Sequence, residues 1–368
     1  MPAAVKPDSV RDIFLSTNCI IPSFFEGAPM KNLLTKYSSA AVIATFFCFL
    51  LTAARATTVD MGIVTGGTKG TYIQIGYDIS KLVKKHGIQL TVLPSKGSLD
   101  NIADVYERKD VQLGIVQSDI LAFIRSSDNN TLKDITKNIK MLFPLYNEEM
   151  HLLANPSITS FADLNGKRIA IGPEGSGTAL TASLLLKLTG VSPAETIYAN
   201  AQKALMQLRS ENIDAMFHIA GYPVTLFSKI FTEKLHLVPL RDQRIGKVYI
   251  PSVIPANTYR WQEKAVDTFA VKAVLMAYGY DTGHPDCTNV GKVGEIIYSN
   301  MGWLKKNGHL KWADVNPDDG LIGWEQYTCV ADAIKELKAD KKAAPLKNPE
   351  EDVSLKNFLQ ENSTETAE

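Results

Sequence analysis

Two turns rich in glycine and hydroxyl side chains are the stretches of this chain best suited to bind an anion. Residues 65–71 read Thr-Gly-Gly-Thr-Lys-Gly-Thr and residues 172–178 read Gly-Pro-Glu-Gly-Ser-Gly-Thr. Each turn follows a short apolar run and precedes apolar residues spaced three or four apart, the pattern of a strand, a turn and a helix. The start of such a helix presents free backbone N–H groups and the positive end of the helix dipole. Both turns therefore predict a site for a carboxylate or a phosphate.

Neither turn matches a known catalytic or nucleotide-binding motif. Gly62 and Gly67 are spaced as in a phosphate-binding loop, but Thr68-Lys69 follows where Lys-Ser or Lys-Thr is required. Ser176 lies between two glycines without the G-x-S-x-G frame of a nucleophile elbow. The six histidines are scattered and suggest neither a nucleophile–base pair nor a metal set. We therefore expect no enzymatic activity, no cofactor and no metal.

Alternating strand-like and helix-like segments must position these turns, and they predict a parallel α/β fold. The segments form two similar β-α-β-α-β units, with one turn in each. The predicted strands of the two units are residues 59–64, 89–93, 111–116, 168–171, 196–198 and 213–218. The predicted helices start near Tyr72, at Ser98 (as its N-cap), near Ser176 and near Ala201. If the two units face each other, both turns lie in one cleft.

The remaining segments are expected to connect and cover these two units. Residues 140–146 and 151–154 are predicted as strands that carry the chain across, and residues 247–251 as the segment that carries it back. From about Ile254 the pattern is mainly helical, over residues 261–277, 290–307 and 323–337. These helices are expected to return to the first unit.

Candidate ligand-binding residues lie in the two turns, at the ends of predicted strands and on nearby tyrosines. They are Thr65, Gly66, Gly67, Thr68, Tyr72, Ser98, Gln117, Ser118, Gly175, Ser176, Gly177, Thr178, Tyr222 and Tyr249. Gln117 and Ser118 follow a buried strand, at the edge where open parallel sheets bind ligands. The alternative for the glycines is a role in the turn alone, and for the hydroxyl residues a helix cap. The Tyr72 ring either forms the base of the ligand pocket or packs in the core.

The composition excludes some classes of partner. The chain has 368 residues, enough for two domains with separate cores. Lys plus Arg equals Asp plus Glu at 39 each, so no net field attracts nucleic acid or an acidic membrane surface. We expect no nucleic-acid partner and no membrane insertion of the mature chain.

The N-terminal residues have the pattern of a secretion signal. Residues 40–51 form an apolar stretch after the basic residues Lys31 and Lys36, and Ala54-Arg55-Ala56 supplies a small-x-small cleavage pattern. We interpret residues 1–29 as an upstream extension of the gene model and residues 30–56 as a signal peptide cleaved near Ala56. The alternative is an uncleaved N-terminal anchor. The expected location is periplasmic, and the polar residues 339–368 are expected to be a disordered tail.

Two cysteines remain beyond the predicted signal region. Cys287 and Cys329 form an even pair in an oxidising compartment, which favours a disulfide. Their spacing matches no zinc-binding pattern.

Several motifs in order resemble one receptor family. They are the residues 64–67 and 70–72 around the first turn, Gln117-Ser118-Asp119, residues 163–168 (Asp-Leu-Asn-Gly-Lys-Arg), the second turn, and Gly221-Tyr222-Pro223. Together they resemble the TAXI family, the extracytoplasmic solute receptors of TRAP transporters. The resemblance covers roughly residues 57–337.

The resemblance implies a type II periplasmic binding-protein fold, in which two α/β lobes joined by hinge strands close on a small ligand. The expected lobes are residues 57–145 with 255–338, and residues 146–254. It also implies a small carboxylate ligand, glutamate or a related C4 or C5 acid, and a TRAP permease driven by an ion gradient as partner. The alternative is a receptor of the same fold that serves an ABC importer or a membrane sensor kinase.

Overall fold

A single mixed sheet of ten strands runs through the molecule. The computed structural model of the chain describes residues 59–125, 130–230 and 234–343. Within these ranges the strand order is β2-β1-β3-β10-β4-β7-β5-β6, with β8 paired to β4 and β9 to β10. The strands are β1 Val59–Val64, β2 Ile88–Leu93, β3 Leu113–Gln117, β4 Ile139–Ala154, β5 Arg168–Gly172, β6 Glu195–Tyr198, β7 Ala215–Ala220, β8 His236–Leu237, β9 Ile250–Ile254 and β10 Val266–Tyr278.

Helices cover both faces of this sheet. They are α1 Thr71–Lys84, α2 Ser98–Glu107, α3 Ile120–Arg125, α4 Asn130–Lys137, α5 Gly177–Thr189, α6 Ala201–Arg209, α7 Thr225–Ser228, α8 Gln243–Gly246, α9 Pro285–Ser299, α10 Met301–Asn307 and α11 Thr328–Ala343, with 3₁₀ turns at Phe161–Leu164 and Leu310–Asp314. Successive strand residues enter different cores: Ile63 packs in one apolar cluster and Val64 in another, as do Leu152 and Leu153. Both sheet faces are therefore buried, as in parallel α/β sheets.

Two lobes share two long strands. Lobe 1 carries β1, which pairs in parallel with β2 and β3, and lobe 2 carries β5, which pairs in parallel with β6 and β7. β4 and β10 are antiparallel to each other; β10 pairs with β3 in lobe 1, and β4 pairs with β7 in lobe 2. This two-lobed α/β arrangement with shared hinge strands confirms the type II periplasmic binding-protein fold expected from the sequence. The exact boundaries of the lobes stay a prediction.

The predicted helix at residues 261–277 is wrong. The chain there forms β10, a strand of 13 residues between β3 and β4. β10 is apolar on both faces because it lies in the middle of a covered sheet, so the alternating pattern of a half-buried strand is missing. Val266, Thr268, Val271 and Val274 are β-branched residues that favour a strand.

Two further expectations differ from the structure. Ser98 is the first helical residue of α2 rather than its cap; the N-cap position is Gly97, and the Ser98 hydroxyl accepts a hydrogen bond from the Gln117 N–H at 3.0 Å. α11 continues through Ala343, past the predicted start of the tail at residue 339. The alanines and lysines of this stretch are strong helix formers, which explains the extension.

Some predictions concern parts of the chain outside the described residues. The proposed upstream extension, the signal peptide and residues 344–368 of the tail all lie there. Of the helices in the described ranges, none has the length and apolar character needed to cross a membrane.

A disulfide fastens the covering helices of lobe 1. Cys287 in α9 and Cys329 in α11 are bonded to each other, with Cα atoms 5.6 Å apart. The two helices pack closely here, since a Cβ added to Gly291 would lie 2.7 Å from the Cys329 carbonyl oxygen.

Candidate functional site

The two lobes touch where the sequence predicts ligand contacts. The Leu99 N–H in lobe 1 donates a hydrogen bond to the Gly175 carbonyl oxygen in lobe 2 at 3.3 Å. Gly177, the first residue of α5, faces Gln117 and Ser98 so closely that a Cβ there would lie 2.1 Å from Gln117 Oε1 and 2.9 Å from Ser98 Oγ. The structure thus brings together Ser98, Gln117, Gly175 and Gly177 from opposite sides of the cleft.

Asp119 connects lobe 1 to two hydroxyl groups across the cleft. Its Oδ2 atom accepts hydrogen bonds from Thr181 Oγ1 at 2.8 Å and from the Tyr249 hydroxyl at 3.0 Å. Thr181 lies in α5, and its hydroxyl is also 3.2 Å from Gln117 Oε1. Burial raises the pKa of the Asp119 carboxyl to about 6, and the two hydrogen bonds lower it only in part. Tyr249, one of the predicted ligand-binding residues, therefore contacts the Asp119 carboxylate at the cleft.

Glu148, in the shared strand β4, contacts Tyr72, one of the predicted ligand-binding residues. The Tyr72 hydroxyl donates a hydrogen bond to Glu148 Oε2 at 2.7 Å, and the Glu148 side chain is buried. Burial raises the pKa of the Glu148 carboxyl to about 8, and the nearby Glu149 and Asp119 raise it further. Burial and the Glu148 charge in turn raise the pKa of the Tyr72 hydroxyl. The Tyr72 ring packs in the apolar core of lobe 1 and its hydroxyl is bonded to a buried acid, while its contact with a ligand stays a prediction.

Glu149, the next residue of β4, forms an ion pair with Lys311. Lys311 Nζ is 3.4 Å from Glu149 Oε2 and lies 4.1 Å from the centre of the Tyr222 ring. Glu149 also accepts a hydrogen bond from the Tyr222 N–H at 3.4 Å. Tyr222, which follows β7, therefore joins the hinge through a lysine and a carboxylate that the sequence analysis did not select.

Several predicted hydroxyl groups bond within their own lobe. The buried Thr65 hydroxyl donates to the Leu93 carbonyl oxygen at 2.9 Å. Ser176 caps α5, accepting from the Ala179 N–H at 3.1 Å, and Thr178 Oγ1 accepts from the Ile219 N–H at 3.3 Å. Ser118 Oγ accepts from the Lys272 N–H of β10 at 3.2 Å. Ser118 and Thr65 thus tie strands together, and Ser176 supports the start of the helix in the cleft.

The first glycine turn is only partly directed at lobe 2. Gly66 is buried beside the Tyr72 ring, from which a Cβ at Gly66 would be 3.5 Å. Gly67 and Thr68 are exposed, and the Gly67 carbonyl oxygen accepts from the Gly70 N–H within the turn. Within the described ranges, no hydrogen bond joins Gly67 or Thr68 to the second turn. Their contact with a ligand stays a prediction.

The site contains polar side chains that the sequence analysis missed. They are Asp119, which was only part of a motif, and Tyr146, Glu148, Glu149, Thr181 and Lys311. The pair Glu148-Glu149 interrupts the long apolar run of β4, which is the one pattern that marks it in the sequence. Lys311 is nearly fully buried although it lies in a short turn, and nothing in its sequence context indicates this burial.

The site lies where surfaces of the two lobes meet. It offers the N-terminus of α5, neutral hydroxyl groups and buried carboxylates. Among the described residues, His, Cys, Asp and Glu side chains form no group of three that fits a metal ion. The arrangement suits a small polar ligand held by contacts from both lobes.

Comparisons with known proteins place the chain in a sequence family. The model of the NMT1-like family matches residues 63–283, which include every predicted ligand-binding residue. Three solved structures are similar. They are the periplasmic binding protein BugD (12% identity, 77% of this chain and 96% of that one, TM-score 0.47), the GluR0 ligand-binding core from Nostoc punctiforme in complex with L-glutamate (16%, 67% and 98%, 0.40), and an arginine transport system periplasmic binding protein from Legionella pneumophila (14%, 66% and 94%, 0.41).

Proposed function

Because the chain belongs to the NMT1-like family, we propose that it is a periplasmic receptor that captures a small carboxylate and delivers it to a membrane transporter. The observation that supports this function most directly is the meeting of the start of α5 with Ser98 and Gln117 across the cleft. A ligand carboxylate at this helix start would accept backbone N–H bonds and face the positive end of the dipole. Glutamate or a related C4 or C5 acid is the proposed ligand.

Binding works by closure of the lobes on the ligand. A ligand that contacts both lobes stabilises the closed state by the difference between its affinities for the two states. The shared strands β4 and β10 carry the hinge, and the contacts Leu99–Gly175 and Asp119–Thr181 form as the cleft closes.

A thermal-shift screen of the purified chain tests the proposed ligand class. Dicarboxylates, amino acids, sugars and phosphates are compared at concentrations from micromolar to millimolar. A ligand that binds only the folded state adds about 2.7 kcal/mol to the free energy of unfolding when its concentration is a hundred times its dissociation constant. The melting temperature rises as a result. We expect glutamate or a close C4 or C5 acid to produce the largest shift. Shifts with sugars or inorganic phosphate alone would contradict the carboxylate proposal.

The variant Gly177→Ala tests closure at the contact between the lobes. The added methyl group would overlap Gln117 Oε1 in the closed arrangement, while it meets no such obstacle once the lobes separate. Overpacking of this kind costs roughly 1–3 kcal/mol, so affinity is expected to fall about fivefold to a hundredfold in isothermal titration calorimetry.

Gly302→Ala is the matched control, because a Cβ at this exposed helical position meets no atom within 4 Å. It is expected to leave affinity unchanged. If Gly177→Ala binds as tightly as the control, the lobes do not close at this contact.

The membrane partner is proposed to be a TRAP permease, on the resemblance of the motifs to TAXI receptors. The second candidates are an ABC importer and a sensor kinase, which use receptors of the same fold. Uptake of the radiolabelled ligand by vesicles carrying the candidate permease distinguishes them. Uptake that requires this protein and an ion gradient supports the TRAP partner, and uptake that requires ATP contradicts it.

A further inference from the structure

Two carboxylates in the cleft lack a cationic partner. Glu148 accepts hydrogen bonds from the Tyr72 hydroxyl and from the Gln117 side chain, and Asp119 accepts from the hydroxyls of Thr181 and Tyr249. All four donors are neutral. Among the described residues, neither carboxylate takes part in an ion pair, although Glu148 is only 3% exposed. A buried carboxylate is costly unless a positive charge or several hydrogen bonds compensate it.

Buried polar atoms without a hydrogen-bond partner occur at the same place. In the part of the chain that the structure describes, they include Asp119 Oδ1 and the hydroxyl of Tyr146, which makes no well-formed hydrogen bond although the Thr71 side chain is close enough to lower its pKa. Tyr146 is fully buried and lies two residues before Glu148, on the same face of β4. Burial and the charges of Glu148 and Glu149 raise the pKa of its hydroxyl, so the three groups are close neighbours. Buried polar groups in folded proteins almost always have partners, so this pair of free atoms indicates a bound molecule.

The buried lysine of this region is already engaged. Lys311 Nζ contacts Glu149 Oε2 at 3.4 Å and Asp314 Oδ2 at 3.2 Å, and the Tyr222 ring covers it. Its charge is therefore shared between two other carboxylates. Without a cation nearby, Glu148 keeps its proton at neutral pH. A positive charge that complements the ionised forms of Glu148 and Asp119 has to come from outside the described residues.

We propose that the ligand carries a protonated amine, which Glu148 and Asp119 bind as an ammonium group while the Tyr146 hydroxyl accepts one of its N–H bonds. An ammonium has three N–H donors and no acceptor, which matches three oxygen acceptors. The inference rests on the proposed function, since the carboxylate of the same molecule occupies the start of α5. The ligand class is then an amino acid, and a dicarboxylic acid without an amine is disfavoured because it adds negative charge beside two carboxylates.

Matched pairs of ligands separate this inference from the proposed function. Calorimetric titrations of the full chain at pH 7 compare glutamate with 2-oxoglutarate, aspartate with succinate, and leucine with 4-methyl-2-oxopentanoate. We expect the amine of at least one pair to bind about tenfold or more tightly than its partner, as for a charge-assisted hydrogen bond. Equal or tighter binding of the amine-free acids contradicts the proposed amine site but agrees with the proposed carboxylate receptor. Binding by none of the six compounds overturns both.

Two variants test which side chains bind the ammonium group of the ligand. Glu148→Gln keeps an acceptor for the Tyr72 hydroxyl and removes the charge, so the preference for the amine over its partner acid is expected to fall to about twofold or less. Tyr146→Phe removes a hydroxyl that makes no well-formed hydrogen bond in the described residues, so it is expected to weaken amine binding several-fold without lowering the melting temperature. This unchanged melting temperature distinguishes a ligand contact from a structural role.

The control is Glu195→Gln, which removes a carboxylate from an exposed position on β6. It is expected to retain the full preference for the amine. If Glu148→Gln and Tyr146→Phe also retain it, the proposed amine site is wrong.

Discussion

The free energy of unfolding of the ligand-free chain is expected to fall by about 1 kcal/mol as the pH rises from 6.5 to 8, and Glu148→Gln is expected to abolish this fall. Burial raises the pKa of Glu148 from 4.5 to about 8. Between these values the folded state keeps a proton that the unfolded state has lost. The folded state therefore binds more protons, and stability decreases as the pH rises through this window.

Other buried groups act at lower pH. Burial lowers the pKa of His151 from 6.5 to about 3 and that of His218 from 6.5 to about 4. Below pH 6.5 the unfolded state therefore binds more protons at these histidines, so they lower stability as the pH falls. Asp119, with its pKa raised from 3.8 to about 6, acts in the opposite direction over part of this range. Above pH 6.5 Glu148 makes the largest contribution, and the two histidines together offset about 0.8 kcal/mol of it.

Urea denaturation at a series of pH values, with the disulfide intact, measures this dependence. Glu195→Gln serves again as the control and is expected to follow the original chain. A flat stability between pH 6.5 and 8 would show that Glu148 is ionised in the folded ligand-free protein. The same fall in Glu148→Gln would assign it to another group.

Lys311→Met is expected to destabilise the protein by about 3–5 kcal/mol. Lys311 and Glu149 are both about 2% exposed, and their charged atoms are 3.4 Å apart. Burial raises the pKa of Glu149 and the Lys311 charge lowers it, so removal of the lysine leaves a buried acid without its cation. The hydrogen bonds from the Tyr222 N–H and Ser252 Oγ are long, at 3.4 and 3.5 Å, and compensate little of this loss.

The exposed Lys338 provides a close control, because it also lies between a carboxylate and a tyrosine ring. Its Nζ is 3.2 Å from Asp318 Oδ1 and 4.9 Å from the centre of the Tyr298 ring. Lys338→Met is expected to cost less than about 1 kcal/mol, because solvent screens exposed ion pairs. In the Glu149→Gln background, Lys311→Met is expected to cost much less than alone. Equal costs in both backgrounds would show that packing of the lysine stem, rather than its charge, is important.

Local sequence patterns predicted the elements that carry the glycine turns. β1, α1 and α6 begin or end within a residue of the expected positions, because their apolar spacing and their flanking turns agree. The two similar units predict both glycine turns in one cleft, but they do not predict the contact of Gly177 with Gln117. The predicted elements depend on short segments whose preferences the sequence displays directly.

The features that were missed depend on position in the sheet. β10 has the composition of a buried element of either kind, and only its place between β3 and β4 makes it a strand. Glu148 and Glu149 are single polar residues in a buried strand, and their roles arise from Tyr72 and Lys311, which are far away along the chain. The spacing of apolar residues along the sequence does not predict contacts between residues that are so far apart in the chain.

The central position of β10 also has a consequence for the order of assembly. β3 finds its second sheet neighbour only when Ala273 pairs with Gln117, and β4 needs the same late strand beside it. Contacts between such distant segments raise the contact order, which slows folding because long loops must close before the contacts form. Lobe 1 therefore cannot complete its sheet during synthesis of its own three strands. Its edge at β3 stays unpaired until the chain beyond lobe 2 has emerged.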